Sequence, residues 1–195
     1  MPNQRALRPL TPPERKQVDA LLARLPYLRP KLRIRVGRGL AEKRRKLLVG
    51  VDEEDSRMHA AAFLVRRHIV IDQELFRRRD LARILYHEIF HFVWARLGNP
   101  LRLSYEHLLG REWRERARGE LGWSAEQRKL SLAAADVRRR TRLWADYVCE
   151  SFCDSAAWFC LESRRPHPEW TLKPRFCVRR RRWFQAADVL PRLQL

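Results

Sequence analysis

A chain of 195 residues with 45% hydrophobic content can bury one substantial core, and it offers no second stretch with the look of an independent domain, so a single domain over 1–195 is expected. The formal charge of +19 comes from 42 basic residues, six Lys and therefore 36 Arg; such a field draws a protein toward nucleic acid or anionic head groups, unless it is composition bias on solvated faces. A bilayer span of roughly 20 apolar residues is excluded, because the richest window, Ile84 to Leu97, is broken by His, Glu and Arg.

Met1 to Pro26 lacks the continuous apolar core of a signal peptide, which points to a cytoplasmic protein. Within this N-terminal element (1–27), Thr11-Pro12-Pro13-Glu14 reads as a helix start with Thr11 as N-cap, and Val18, Leu21, Leu22 and Leu25 form an apolar stripe. Lys31 to Val36 alternates basic and apolar residues, the mark of a strand with one buried face, and Gly37-Arg38-Gly39 ends it. Lys46 to Val51 is a second strand candidate, followed by the acidic, turn-prone Asp52 to Ser56. Ala61 to Asp72 is a third, with Arg66-Arg67 at a turn or on a solvated face.

A helix is predicted from about Asp80 to Leu97, stopped by Gly98-Asn99-Pro100, and Ser104 to Arg118 reads as an amphipathic helix. Gly119 to Gly122 is a loop, after which Ser124 can cap another helix. From Ala133 to about Leu161 there is neither Gly nor Pro, so one long helix, or two with an unmarked break, is expected. The basic tail, 163–195, is rich in Pro, Arg and aromatics and reads as an irregular wrap packed on the domain, with a short strand at Phe176 to Val178. Cys149, Cys153, Cys160 and Cys177 contain no Cys-x-x-Cys pair and read as reduced residues of a cytosolic protein.

The chemistry concentrates in the helix before Gly98, where His87-Glu88-Ile89-Phe90-His91 carries the pattern His-Glu-x-x-His. Residues four apart lie one turn above each other, so His87 and His91 can offer two imidazole nitrogens to one metal ion, with Glu88 placed to take a proton from water. A catalytic zinc usually takes three protein ligands. The metzincin extension would need Gly at position 94 and His at position 97, where this chain has Trp94 and Leu97. Glu106, His107 and Glu112 sit in a mixed polar segment with nothing around them to argue burial. Glu150 is the stronger candidate: Leu143, Tyr147, Glu150, Asp154, Ala157 and Leu161 make one helical stripe whose only charges are the two acids. Glu150 would ligate the metal and Asp154 would accept the ring N–H of a ligating His. The competing reading pairs both acids with Arg from another helix.

His87-Glu88-x-x-His91 with a later Glu150-x-x-x-Asp154 resembles the gluzincin branch of zinc metallopeptidases. The resemblance implies a zincin-like α+β domain: a small antiparallel or mixed sheet, an active-site helix and a mostly helical C-terminal half. It also implies zinc as cofactor, a peptide or protein substrate, His87, His91 and Glu150 as ligands, Asp154 behind them and Glu88 as general base. A further donor should stabilise the oxyanion. Tyr147, Tyr105, His107, His167 and Arg142 are candidates, Tyr147 slightly ahead because it shares the stripe of Glu150, though a core role suits it as well. Two other readings stay open: a metal-binding regulatory or nucleic-acid-associated protein without general protease activity, and a fold that keeps these residues but binds no metal.

Overall fold

The computed structural model describes residues 7–25, 32–43, 46–50, 57–161 and 166–187. The acidic stretch Asp52 to Ser56 lies outside them, as does Lys31, the expected first residue of the first strand. The fold is α+β, and the chain divides into two compact units, one up to Phe92 and one from Val93 onward.

In the first unit, helix α1 (Pro12–Leu22) starts where Pro12 and Pro13 fix φ without forfeiting a needed N–H, and the Thr11 N–H is accepted by Glu14 at 2.8 Å. Two further bonds of 2.7 Å from Arg8 hold the Glu14 carboxylate, and this pairing lowers its pKa to about 2. Val18 and Leu25 of the expected stripe are buried.

Six short strands follow: β1 (Arg33–Gly37), β2 (Leu40–Lys43), β3 (Lys46–Val49), β4 (Arg57–Met58), β5 (Ala60–Phe63) and β6 (His68–Asp72). They form two three-stranded sheets among the described residues. In one, β6 is central, parallel to β1 with Val36 opposite Ile71 and antiparallel to β5 with Ala61 opposite Val70. In the other, β2 runs antiparallel to β3 and β4. The strand candidate over Ala61 to Asp72 is a hairpin of β5 and β6, with Arg66-Arg67 at a turn, one of the two places expected for them, and Arg67 at φ of 50°. β2 was not expected at all. It follows a turn at Arg38 and Gly39, and Gly39 adopts φ of 60°, the left-handed region that favours glycine. Asp72 closes the corner, accepting the Leu40 N–H at 3.1 Å and the Glu74 N–H at 2.8 Å.

Helix α2 (Leu81–Arg96) matches the expected bounds within a residue, and Leu85, Tyr86, Ile89 and Phe90 have no exposed surface. Tyr86 donates its hydroxyl to the Leu21 carbonyl at 2.8 Å, which ties the helix to the end of α1.

The second unit is helical: α3 (Asn99–Arg114), α4 (Trp123–Leu130), α5 (Ala134–Arg139), α6 (Arg142–Leu161) and α7 (Pro174–Ala186). The break expected somewhere after Ala133 falls at Arg140, whose φ is 51°. The tail corrects the sequence reading. Phe176 to Val178 belongs to a helix rather than a strand, because Pro174 suits the first helical turn and Phe176, Arg180 and Phe184, at steps of four, form a single inward face that is fully buried. Phe184 and Trp183 pack with Tyr105 and Phe152 in an aromatic cluster. No helix among the described residues is long and apolar enough to cross a membrane.

Candidate metal centre

Within the first unit, α2 brings the two histidines of the motif together. His87 Nε2 and His91 Nε2 are 3.2 Å apart, with ring planes at 81° and centroids 4.9 Å apart, and both rings are half-buried. Two nitrogens each about 2.0–2.1 Å from a tetrahedral zinc would lie about 3.3 Å apart, so the pair is spaced as two zinc ligands would be. Glu88, between them in sequence, is 8% exposed. A carboxylate that deeply placed needs electropositive or hydrogen-bonding company.

The other predicted residues stand on α6 in the second unit. Glu150 accepts a 2.7 Å bond from Ser124 Oγ and pairs with Arg128 at 3.2 Å, both from α4. The competing expectation, an Arg from another helix, therefore applies to Glu150. Asp154 accepts the Ala125 N–H at 3.1 Å and so closes the start of α4, where Gly122 presses on it: a Cβ at that position would collide with the Asp154 carboxylate. Ser124, expected as the cap of this helix, lies inside its first turn and serves Glu150 instead.

Tyr147 is buried, and its hydroxyl donates to Glu120 Oε1 at 2.6 Å; burial and the neighbouring carboxylate push its pKa well above normal. As an oxyanion donor it would first have to leave that bond. The remaining candidates have described partners too. Tyr105 donates to Ser155 Oγ at 3.0 Å, His107 meets Arg140 at 3.1 Å, the His167 ring accepts the Glu169 N–H at 3.2 Å, and Arg142 lies 3.8 Å from Asp146. The four cysteines are free thiols, Cys153 buried and the others half-buried.

Glu112 and Glu120 overturn the sequence reading of their segments. Glu112, expected in a solvated stretch, is 1% exposed, and Glu120, expected in a surface loop, is fully buried. Both are held by Arg180: Nη1 reaches Glu120 Oε2 at 2.6 Å and Nη2 reaches Glu112 Oε2 at 2.8 Å. Lys129 adds a second cation on Glu120 at 2.8 Å, and Ser151 and Ser155 accept from Arg180 Nη1 at 3.0 Å each. Two cations thus meet two carboxylates, which makes the cluster neutral and its burial affordable. The only trace in the sequence is the Phe176, Arg180, Phe184 spacing, visible once the segment is taken as a helix.

The described chain is thus an α+β protein carrying a histidine pair on a buried helix. Comparison with protein-family models, curated proteins and solved structures returned no match.

Proposed function

We propose that the protein is a metal-dependent hydrolase of peptide bonds, with zinc held by His87, His91 and Glu150. The observation that carries this reading is the 3.2 Å approach of the two Nε2 atoms on α2. Residue chemistry supports the third ligand: two imidazoles and one glutamate carboxylate are the donor types that zinc takes in peptidases. Cys149 and Cys153 together with a histidine would be a second set by donor type alone. Two cysteines and a histidine can also keep a position open for water, but two His and one Glu are the donors of zinc peptidases, so the carboxylate set is the better match to peptide-bond hydrolysis.

A zinc ion held there would lower the pKa of a water and polarise the substrate carbonyl. The chain's own part is then limited and specific. Glu88 accepts the proton of that water at its carboxylate and returns it to the leaving amine. His87 and His91 must be neutral at Nε2 to ligate, and the near-complete burial of Leu85, Ile89 and Phe90 holds their helix in one position. Glu150 has to exchange at least part of its pairing with Arg128 for the metal, and Ser124 can keep one of its oxygens in place while it does so.

Metal content of the purified protein is the test. About one zinc per chain is expected, reduced at least tenfold by H91A and by E150A, whereas E88Q keeps the metal and loses hydrolysis of a quenched fluorescent peptide library. A wild type without bound metal would mean that the short His87–His91 distance is a hydrogen bond between the rings. Full occupancy in E150A together with loss in C149A would move the site to the cysteine set.

A further inference from the structure

The second unit carries a groove of about 930 Å³ between α3 and α5, closed at one end by the start of α6. Four guanidinium groups line it, from Arg111, Arg114, Arg138 and Arg140, against the single carboxylate of Glu106. That carboxylate is already engaged, with Arg140 Nε at 3.1 Å and with the Trp144 indole N–H at 2.8 Å. Arg114 and Arg138 are exposed and make no ion pair with a described residue. Elsewhere in the same unit Arg179 takes Glu115 through two bonds of 2.8 and 3.0 Å and Arg180 takes Glu112 and Glu120, whereas the exposed Arg116, Arg118 and Arg139 resemble Arg114 and Arg138 in making no ion pair with a described residue. What sets the groove apart is that four arginines gather in one recess around a single, already engaged carboxylate.

Arg111 also lines a second recess, of about 400 Å³, together with Arg175 and Arg182 of α7. The two recesses share that side chain, so the basic lining continues from α5 across α3 to α7. A lone anion would need one such cluster, whereas a continuous strip suits a chain of anions. Trp113 adds a half-buried aromatic wall to the larger groove. Guanidinium groups bind phosphate oxygens bidentately, and an indole offers stacking surface to any base.

We propose that this strip binds single-stranded nucleic acid through its phosphates, without base specificity. A recess between two helices admits one backbone with its bases turned to the wall, while a duplex would meet only its rim. The activity proposed for the histidine pair plays no part in this binding, and either can fail without the other.

The test is fluorescence anisotropy of the full chain with a labelled oligothymidylate of about 20 nucleotides, longer than the roughly 4–16 that one binding module covers. Affinity should fall steeply with salt. The exposed double reversal R114E/R138E should weaken binding at least about tenfold and make the log–log salt slope shallower by about 1.4, for two lost contacts at about 0.7 each. The reversal R15E/R24E, equal in charge and placed on exposed positions of the first unit, should change affinity less than about threefold. W113A should weaken binding and leave the salt slope unchanged. Equal losses from the two reversals would reduce the effect to net charge and overturn the proposal. Tighter binding of a duplex of the same length would overturn it, and so would binding of phosphatidylserine vesicles that depends on Arg114 and Arg138 while the oligonucleotide does not bind.

Discussion

Arg180 on α7 donates to Glu120 across 2.6 Å in a place where neither side chain has any exposed surface. Glu120 stands in the connection between α3 and α4, Glu112 on α3, and Ser151 and Ser155 on α6, so one guanidinium joins all the main parts of the helical unit. A charge so deeply placed is sustained only because each of its donors has an acceptor.

Removing the guanidinium should be severe. R180M keeps much of the volume but takes from Glu112 its ion-pair partner and leaves Glu120 with Lys129 alone, and a loss of about 3–5 kcal/mol is expected in urea denaturation followed by far-UV circular dichroism. A loss below about 1 kcal/mol would show that the carboxylates find other partners.

The same cluster sets an acid limit. Arg180 and Lys129 outweigh the burial that opposes ionisation of Glu120, and they bring its pKa down to about 2 from 4.5. Because the folded value is depressed, this group's contribution is complete above about pH 4.5 and is lost as pH falls through about 2. Burial acts the other way on Glu112 and raises its pKa, so its titration lies above that window. Stability of the wild type should therefore drop between about pH 4.5 and 2, and E120Q should be less stable at neutral pH but flatter across that range. An unchanged slope in E120Q would contradict the assignment.

Gly122 and Asp154 offer a test of packing. The carboxylate lies where a Cβ would go, so G122A must displace Asp154 from the Ala125 N–H or shift the start of α4. A destabilisation of about 1–3 kcal/mol is expected, measurable as a lower Tm, with G122A/D154A losing less than the sum of the single variants.

The histidine pair makes a prediction about stability as well as activity. If it binds zinc in the folded state only, a chelator should lower the Tm of the wild type and leave that of H91A unchanged, and added zinc should restore the wild-type value. Equal Tm values with and without chelator in the wild type would speak against a bound metal.

Local signals in the sequence determined much of the fold. Thr11 with Pro12 set the start of α1, Gly98 stopped α2 while Asn99 and Pro100 already open α3, five residues before the start expected at Ser104, and the absence of Gly and Pro after Ala133 announced the helices ending at Leu161. The approach of His87 to His91 was legible too, because helical spacing alone places them one turn apart. These features depend on residues within a few positions of each other. What only the tertiary structure decided depends on partners far along the chain. Glu112 reads as solvated until Arg180, 68 residues later, folds over it, and Glu120 reads as a loop residue until the same side chain and Lys129 enclose it. Ser124 and Arg128 claim Glu150 in the same way, and Tyr147 reads as a donor near a reaction until Glu120 accepts its hydrogen bond. A one-dimensional pattern states that a polar group lies on a buried face, but which opposite charge arrives to satisfy it is a property of packing.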